Sequence, residues 1–152
     1  MTELRFTTTL APRPRGGVLV ELPFDPNEAW GEKERHYVTG SIGAHRFRGV
    51  LTTTGGRNEL QLGPAWCRDP RVGPGARVAV ALRPEGPQLG SMAPDIAEAI
   101  RAAPAARRYF ESLATFYRKG FVDWIEAARG PETRASRIAA TLASLEAKRN
   151  GR

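Results

Sequence analysis

The chain contains a single cysteine, Cys67, so no disulfide can form within it and a secreted, disulfide-stapled scaffold is excluded. Histidine is nearly as scarce, with only His36 and His45. These three residues are the strongest metal ligands beyond carboxylates, and their spacings fit no zinc pattern, so no metal site is expected. Long apolar runs are missing. None approaches a membrane span, and Met1-Thr2-Glu3-Leu4-Arg5 lacks the apolar core of a signal peptide, so a cytoplasmic location is expected. No Gly-x-Ser-x-Gly elbow occurs, and two histidines leave little room for a catalytic triad. Gly55-Gly56-Arg57 precedes a strand pattern, whereas phosphate cradles precede a helix, so it reads as a hairpin turn. The expectation is a protein that is not an enzyme and carries no cofactor. Lysine, finally, supplies only Lys33, Lys119 and Lys148 of the 23 basic residues, and the other 20 are arginine. With abundant Ala, Gly and Pro, that bias has a purely genomic reading as well as a functional one.

What is present is ordinary for a folded domain. The 152 residues are 41% hydrophobic and 26% charged, too apolar for a disordered chain and long enough for one domain, or one small domain with an appendage. The formal net charge of +7 allows an acidic partner without establishing one. Residues 1–90 carry 12 basic and 9 acidic groups and residues 91–152 carry 11 and 7, so neither half is a dedicated basic arm.

The first ninety residues read as short strands. Leu4, Phe6, Thr8 and Leu10 alternate with Arg5, Thr7 and Thr9, the period-2 pattern of a half-buried strand. Val18-Val20-Leu22 follows Gly16-Gly17 and ends at Pro23. A polar loop with Trp30 spans Pro23 to Arg35. Tyr37–Ile42 and Phe47–Leu51 flank a turn at Gly43-Ala44-His45, a hairpin signal. Glu59–Leu62 and Arg77–Leu82 complete the set. Strands this closely spaced, with no helix between them, predict a small antiparallel β-barrel over residues 1–88.

From residue 89 to 152 the pattern is helical. One helix opens at Ser91 and Pro94-Asp95 and runs to Ala103; Pro104 restarts it. Thr115 is an N-cap candidate for the next, whose stripe Tyr117, Phe121, Trp124, Ile125 and Ala128 is expected to be buried. Gly130 and Pro131 separate it from a last helix with Ile138, Leu142 and Leu145. The fold class is therefore α+β, a barrel followed by a helical segment.

Candidate binding residues are few. Arg46 and Arg48 stand at i and i+2 of one strand and share a face. They form a positive stripe that suits phosphate or a partner's carboxylates, or else a solvated outer surface. Nucleic-acid barrels interleave aromatics with basic residues, and only Phe47 lies between these two, facing the core. Arg134 and Arg137 share a helix face and, with Arg129, offer an anion grip. The competing role is an interhelical bridge to Asp123 or Glu126, with guanidinium stems over the Trp124 ring. Trp124 sits in the centre of the apolar stripe. Asp25 and Glu28 share a loop with Trp30; solvation is the simpler account of them. His45 reads as a turn residue and Cys67 as a small apolar residue at a strand end.

The run Phe121-Val122-Asp123-Trp124-Ile125-x-x-Ala128-Arg129-x-Pro131-Glu132-Thr133-Arg134-x-x-Arg137-Ile138 resembles the C-terminal signature of the bacteriocin-protection family, also called YdeI/OmpD-associated. Arg129 stands where that family usually has Lys. Upstream, Pro23-Phe24-Asp25, Val38-x-Gly40-x-Ile42 with Phe47-Arg48, and Gly75 before Val78-Ala79-Val80 resemble the uncharacterised barrel domain often fused to that segment. The resemblance covers Phe6 to Leu142. It implies a cytoplasmic bacterial protein, a small barrel followed by helices, and a link to resistance against bacteriocins or antimicrobial peptides. It carries no established reaction and no catalytic residue. Arg134, Arg137 and Trp124 match motif positions. The function expected is a non-enzymatic binding or stress-protection module of unknown ligand. The alternatives are an anion- or nucleic-acid-binding barrel using Arg46 and Arg48, or an enzyme whose site no linear motif reveals. The partner stays open among an anionic ligand, an acidic protein surface and nucleic acid.

Overall fold

The computed structural model describes residues 3–151. Two compact units divide the chain: Met1–Glu32 with His36–Glu85, and Lys33–Arg35 with Gly86–Arg152.

The first unit is a β unit. Its strands are β1 (Leu4–Thr9), β2 (Ala11–Pro12), β3 (Val18–Glu21), β4 (Tyr37–Ile42), β5 (His45–Val50), β6 (Thr52–Thr54), β7 (Arg57–Leu62) and β8 (Arg77–Pro84). They form two antiparallel four-stranded sheets, ordered β1-β8-β4-β5 and β2-β3-β7-β6. The sequence leads one to expect a barrel, and closure into a single barrel is not observed. The chain instead bends from one sheet into the other twice, at Leu10 between β1 and β2 and at Leu51 between β5 and β6. Corners of this kind let strands switch sheets over one shared core. Leu10 is held at its corner by two backbone bonds, its N–H donating to Ala76 O and its carbonyl accepting from Gly75 N. The alternating residues that point inward, Val18, Val20, Val38, Leu60 and Leu82, are almost wholly buried between the sheets.

Two short helices interrupt the strands where no helix was expected. The first, α1 (Pro26–Trp30), lies inside the Pro23–Arg35 loop; Asp25 caps it by accepting from Asn27 N–H at 2.9 Å, and Pro26 occupies the first turn. The second, α2 (Pro64–Arg68), places Cys67 in a helix rather than at a strand end. His45 opens β5 rather than forming the turn.

Helices make up the second unit: α3 (Pro94–Arg101), α4 (Pro104–Ser112), α5 (Thr115–Glu126) and α6 (Pro131–Glu146). Three of them start on a proline whose missing N–H costs nothing in the first turn. Ile96, Ile100, Phe110, Phe121, Ile125 and Leu145 fill the core. Three expectations need correction here. Ala114, not Thr115, is the N-cap of α5. Tyr117 lies exposed, and Arg118 takes the buried position beside it, donating to the carbonyls of Leu113 and Pro87. Trp124 and Ala128 are only partly buried, so Phe121 and Ile125 carry the packing of α5. No helix among the described residues is long and apolar enough to cross a membrane.

Candidate functional site

In the β4–β5 hairpin Thr39 pairs with Arg48, Gly40 with Phe47 and Ser41 with Arg46. Phe47 is therefore directed into the core, as alternation predicts, while Arg46 and Arg48 stand exposed on the outer face of the first sheet. The two arginines line a groove of about 540 Å³ together with Thr39, Gln61, Gly63 and Trp66. The groove runs from β5 to the end of β7 and α2, and β5 and β7 are not hydrogen-bonded neighbours.

Trp66 is the residue that linear reading missed. It lies 18 positions beyond Arg48, on a helix that only the fold shows. Its indole Nε1–H donates to the Arg46 carbonyl at 2.8 Å, and its ring meets Phe47 edge to face with centroids 6.2 Å apart. These two contacts fix an amphipathic ring in the groove that Arg46 and Arg48 also line. Gln61, on the same wall, accepts from Arg13 Nε at 3.1 Å. Arg48 Nε donates to Glu85 at 3.2 Å, and its side chain remains 74% exposed; Arg46 has no ion pair among the described residues.

The other candidate cluster resolves into a tie between helices. Arg134 on α6 donates through Nε and Nη2 to both carboxylate oxygens of Asp95 on α3, and Nη2 also meets Glu126 on α5 at 2.6 Å. Hydrogen bonds from Arg134 hold the Asp95 carboxyl below the usual carboxylate range, and Asp95 and Glu126 raise the already high pKa of Arg134. Arg137 donates from Nη1 to the Trp124 carbonyl at 2.7 Å, with its guanidinium 5.1 Å from the Trp124 ring centroid. Glu126 was among the expected partners; Asp95 was not, because it lies 39 residues away. Arg134, Arg137 and Trp124 are thus engaged with the helices of their own unit.

His36 and Cys67 have structural partners. His36 is buried with Nε2 2.6 Å from Asn27 Oδ1, and its ring lies near Trp30. The buried Cys67 thiol faces the Leu62 carbonyl. Among the described residues no group of three or more His, Cys, Asp or Glu side chains is arranged to hold a metal ion.

The architecture defines an α+β protein with a two-sheet β unit followed by a helical unit. The chain belongs to the family described as Domain of unknown function (DUF1905), whose model matches residues 6–82, half of its length. Residues 91–148 match the model described as Bacteriocin-protection, YdeI or OmpD-Associated, in agreement with the resemblance of the α5–α6 signature. No curated protein matches the chain.

Proposed function

We propose that this chain is a non-enzymatic binding module of the cytoplasm, associated with bacteriocin protection, and that it takes an anionic ligand in the groove beside β5. One observation carries the reading: Arg46 and Arg48 flank the same concave surface as Trp66. Guanidinium groups stay charged at any accessible pH and offer paired donors to phosphate or carboxylate oxygens. The other lining side chains are Thr39, Phe47, Gln61, Leu62 and Trp66. None of these gains or loses a proton near neutrality, so the groove is equipped to bind and not to transfer protons. The name of the family matched by the helical unit supports the association with bacteriocin protection.

Calorimetric titration with inorganic tripolyphosphate tests this reading. The expected result is binding that weakens as salt rises and is lost in the Arg46→Ala/Arg48→Ala double variant, with thermal stability little changed. Absence of binding at low salt, or equal binding by the double variant, overturns it.

A further inference from the structure

The register of the first sheet places more than the groove on one face. Thr39 pairs with Arg83 of β8 on one side and Arg48 of β5 on the other, so Arg83, Thr39 and Arg48 form one row across the outer surface. Two residues along, about 7 Å away, the next row reads Arg5, Ala81, Ser41 and Arg46. Arg77 stands further along β8 on the same side. Five arginines therefore share this face, with Glu3 beside Arg5 and Glu85 beside Arg48 as the carboxylates that touch them. Arg46 and Arg83 are exposed and have no ion pair among the described residues. Between the arginines the floor is Ala79, Ala81, Ser41 and Thr7, and it dips into a depression of about 310 Å³ that Arg5 also lines. Small side chains between the arginine positions let an extended chain lie close to the sheet.

We propose that this face binds single-stranded nucleic acid, with phosphates following the arginine rows and a base stacked at Trp66. The inference rests on the anionic reading of the groove and names the ligand that fills it. Charge alone suits any polyanion; Trp66 makes the choice. An acidic peptide has no flat group that needs an indole, whereas every base offers a ring face, and stacking on an aromatic ring adds affinity with little dependence on sequence. Phe47, between Arg46 and Arg48 in the sequence, faces the core, and the aromatic of the groove is supplied instead from α2, anchored at its N–H edge by the Arg46 carbonyl.

Fluorescence anisotropy with a fluorescein-labelled twelve-nucleotide poly-U strand is the test, run beside tripolyphosphate titration on the same variants. Expected is oligonucleotide binding whose log K falls with log salt at a slope of about −0.7 per phosphate contacted. Trp66→Ala should weaken it about 5- to 150-fold, a larger factor than the same change costs tripolyphosphate binding. Arg83→Ala, an exposed change outside the groove, should reduce the slope by about 0.7; Trp66→Phe should retain most of the affinity if the ring stacks. Oligonucleotide binding indifferent to Trp66 and Arg83 overturns the proposal while tripolyphosphate binding keeps the anionic groove. Polyglutamate competing as strongly as the oligonucleotide overturns it in favour of an acidic protein surface. Failure of both ligands to bind removes the proposal and the groove reading together.

Discussion

Gly40→Ala places one methyl group where the first sheet has no space. Gly40 lies in β4 between the buried Val38 and Ile42 and pairs with Phe47 on one side and Leu82 on the other. A Cβ there would sit 2.0 Å from the backbone oxygen of Ala81 and 3.1 Å from the Phe47 ring, against an ordinary limit of 3.4 Å. The ring can tilt; the Ala81 carbonyl cannot, because it belongs to a strand paired on both sides with β1 and β4. Restoring normal contact requires β8 to retreat by more than an ångström from a spacing of about 4.8 Å, beyond the reach of good hydrogen bonds. Two or three ladder bonds at about 1 kcal/mol each, plus core strain of about 1–3 kcal/mol, give a loss of about 3–6 kcal/mol. In a β unit of this size that lowers Tm by more than about 10 °C. Urea and thermal melts followed by circular dichroism measure it. Gly43→Ala is the control: its Cβ meets nothing within 4 Å, and only its φ of +59° opposes the change, at about 1 kcal/mol. Equal, small losses in both variants would refute the packing argument.

Three further outcomes follow from the helical unit. Phe110→Ala, at a side chain 1% exposed, should cost about 3–5 kcal/mol; a loss under about 1 kcal/mol in urea melts would mean that the helices are not packed around it. Asp95→Asn should destabilise at neutral pH. Because Arg134 depresses the folded pKa of Asp95, the stabilisation is present above the unfolded value of about 4, and is lost as pH falls through the lower folded value, so the wild-type and variant melts should converge in acid and at high salt. A constant difference at all pH would exclude the ion pair as its source. Burial, helped by Arg118 and Arg107 and opposed by Glu111, lowers the pKa of Lys33. Between that lowered value and the ordinary one the unfolded chain holds the extra proton, so stability should rise with pH across the window, and Lys33→Met should flatten the rise; identical alkaline profiles for the two proteins would contradict it.

Strands with alternating apolar residues were readable because alternation is the direct imprint of a face: Val38, Ile42 and Phe47 are buried as their parity predicts, and Arg46 and Arg48 are not. The short helices were not readable. Five residues, each opened by a proline after a polar or glycine residue, carry no periodicity, so α1 and α2 resemble loops in sequence. The exposed Tyr117 and buried Arg118 failed for another reason. Periodicity assigns an aromatic to the core, but Arg118 finds two backbone carbonyls there and its stem fills the space. Arg46 and Arg48 were visible as a pair, yet their groove depends on Trp66, brought alongside by a helix the sequence does not announce. Arg134 was legible through its motif; its partner Asp95 was not, since no local spacing links α3 to α6.

The two bends at Leu10 and Leu51 also decide what this protein shows to copies of itself. Each bent segment forms an edge of both sheets, so the unpaired backbone of the β unit is confined to β1–β2 and β5–β6. Open edges invite strand-to-strand pairing between molecules. Here Pro12 removes a donor from β2, β6 is a three-residue run of exposed threonines, and Arg5, Arg46 and Arg48 put charge on β1 and β5. On β5 the Trp66 indole occupies a carbonyl that a foreign strand would otherwise claim. The arginines assigned above to ligand binding thus also guard a sticky edge, so neutralising them should raise aggregation in concentrated solution even where the fold survives.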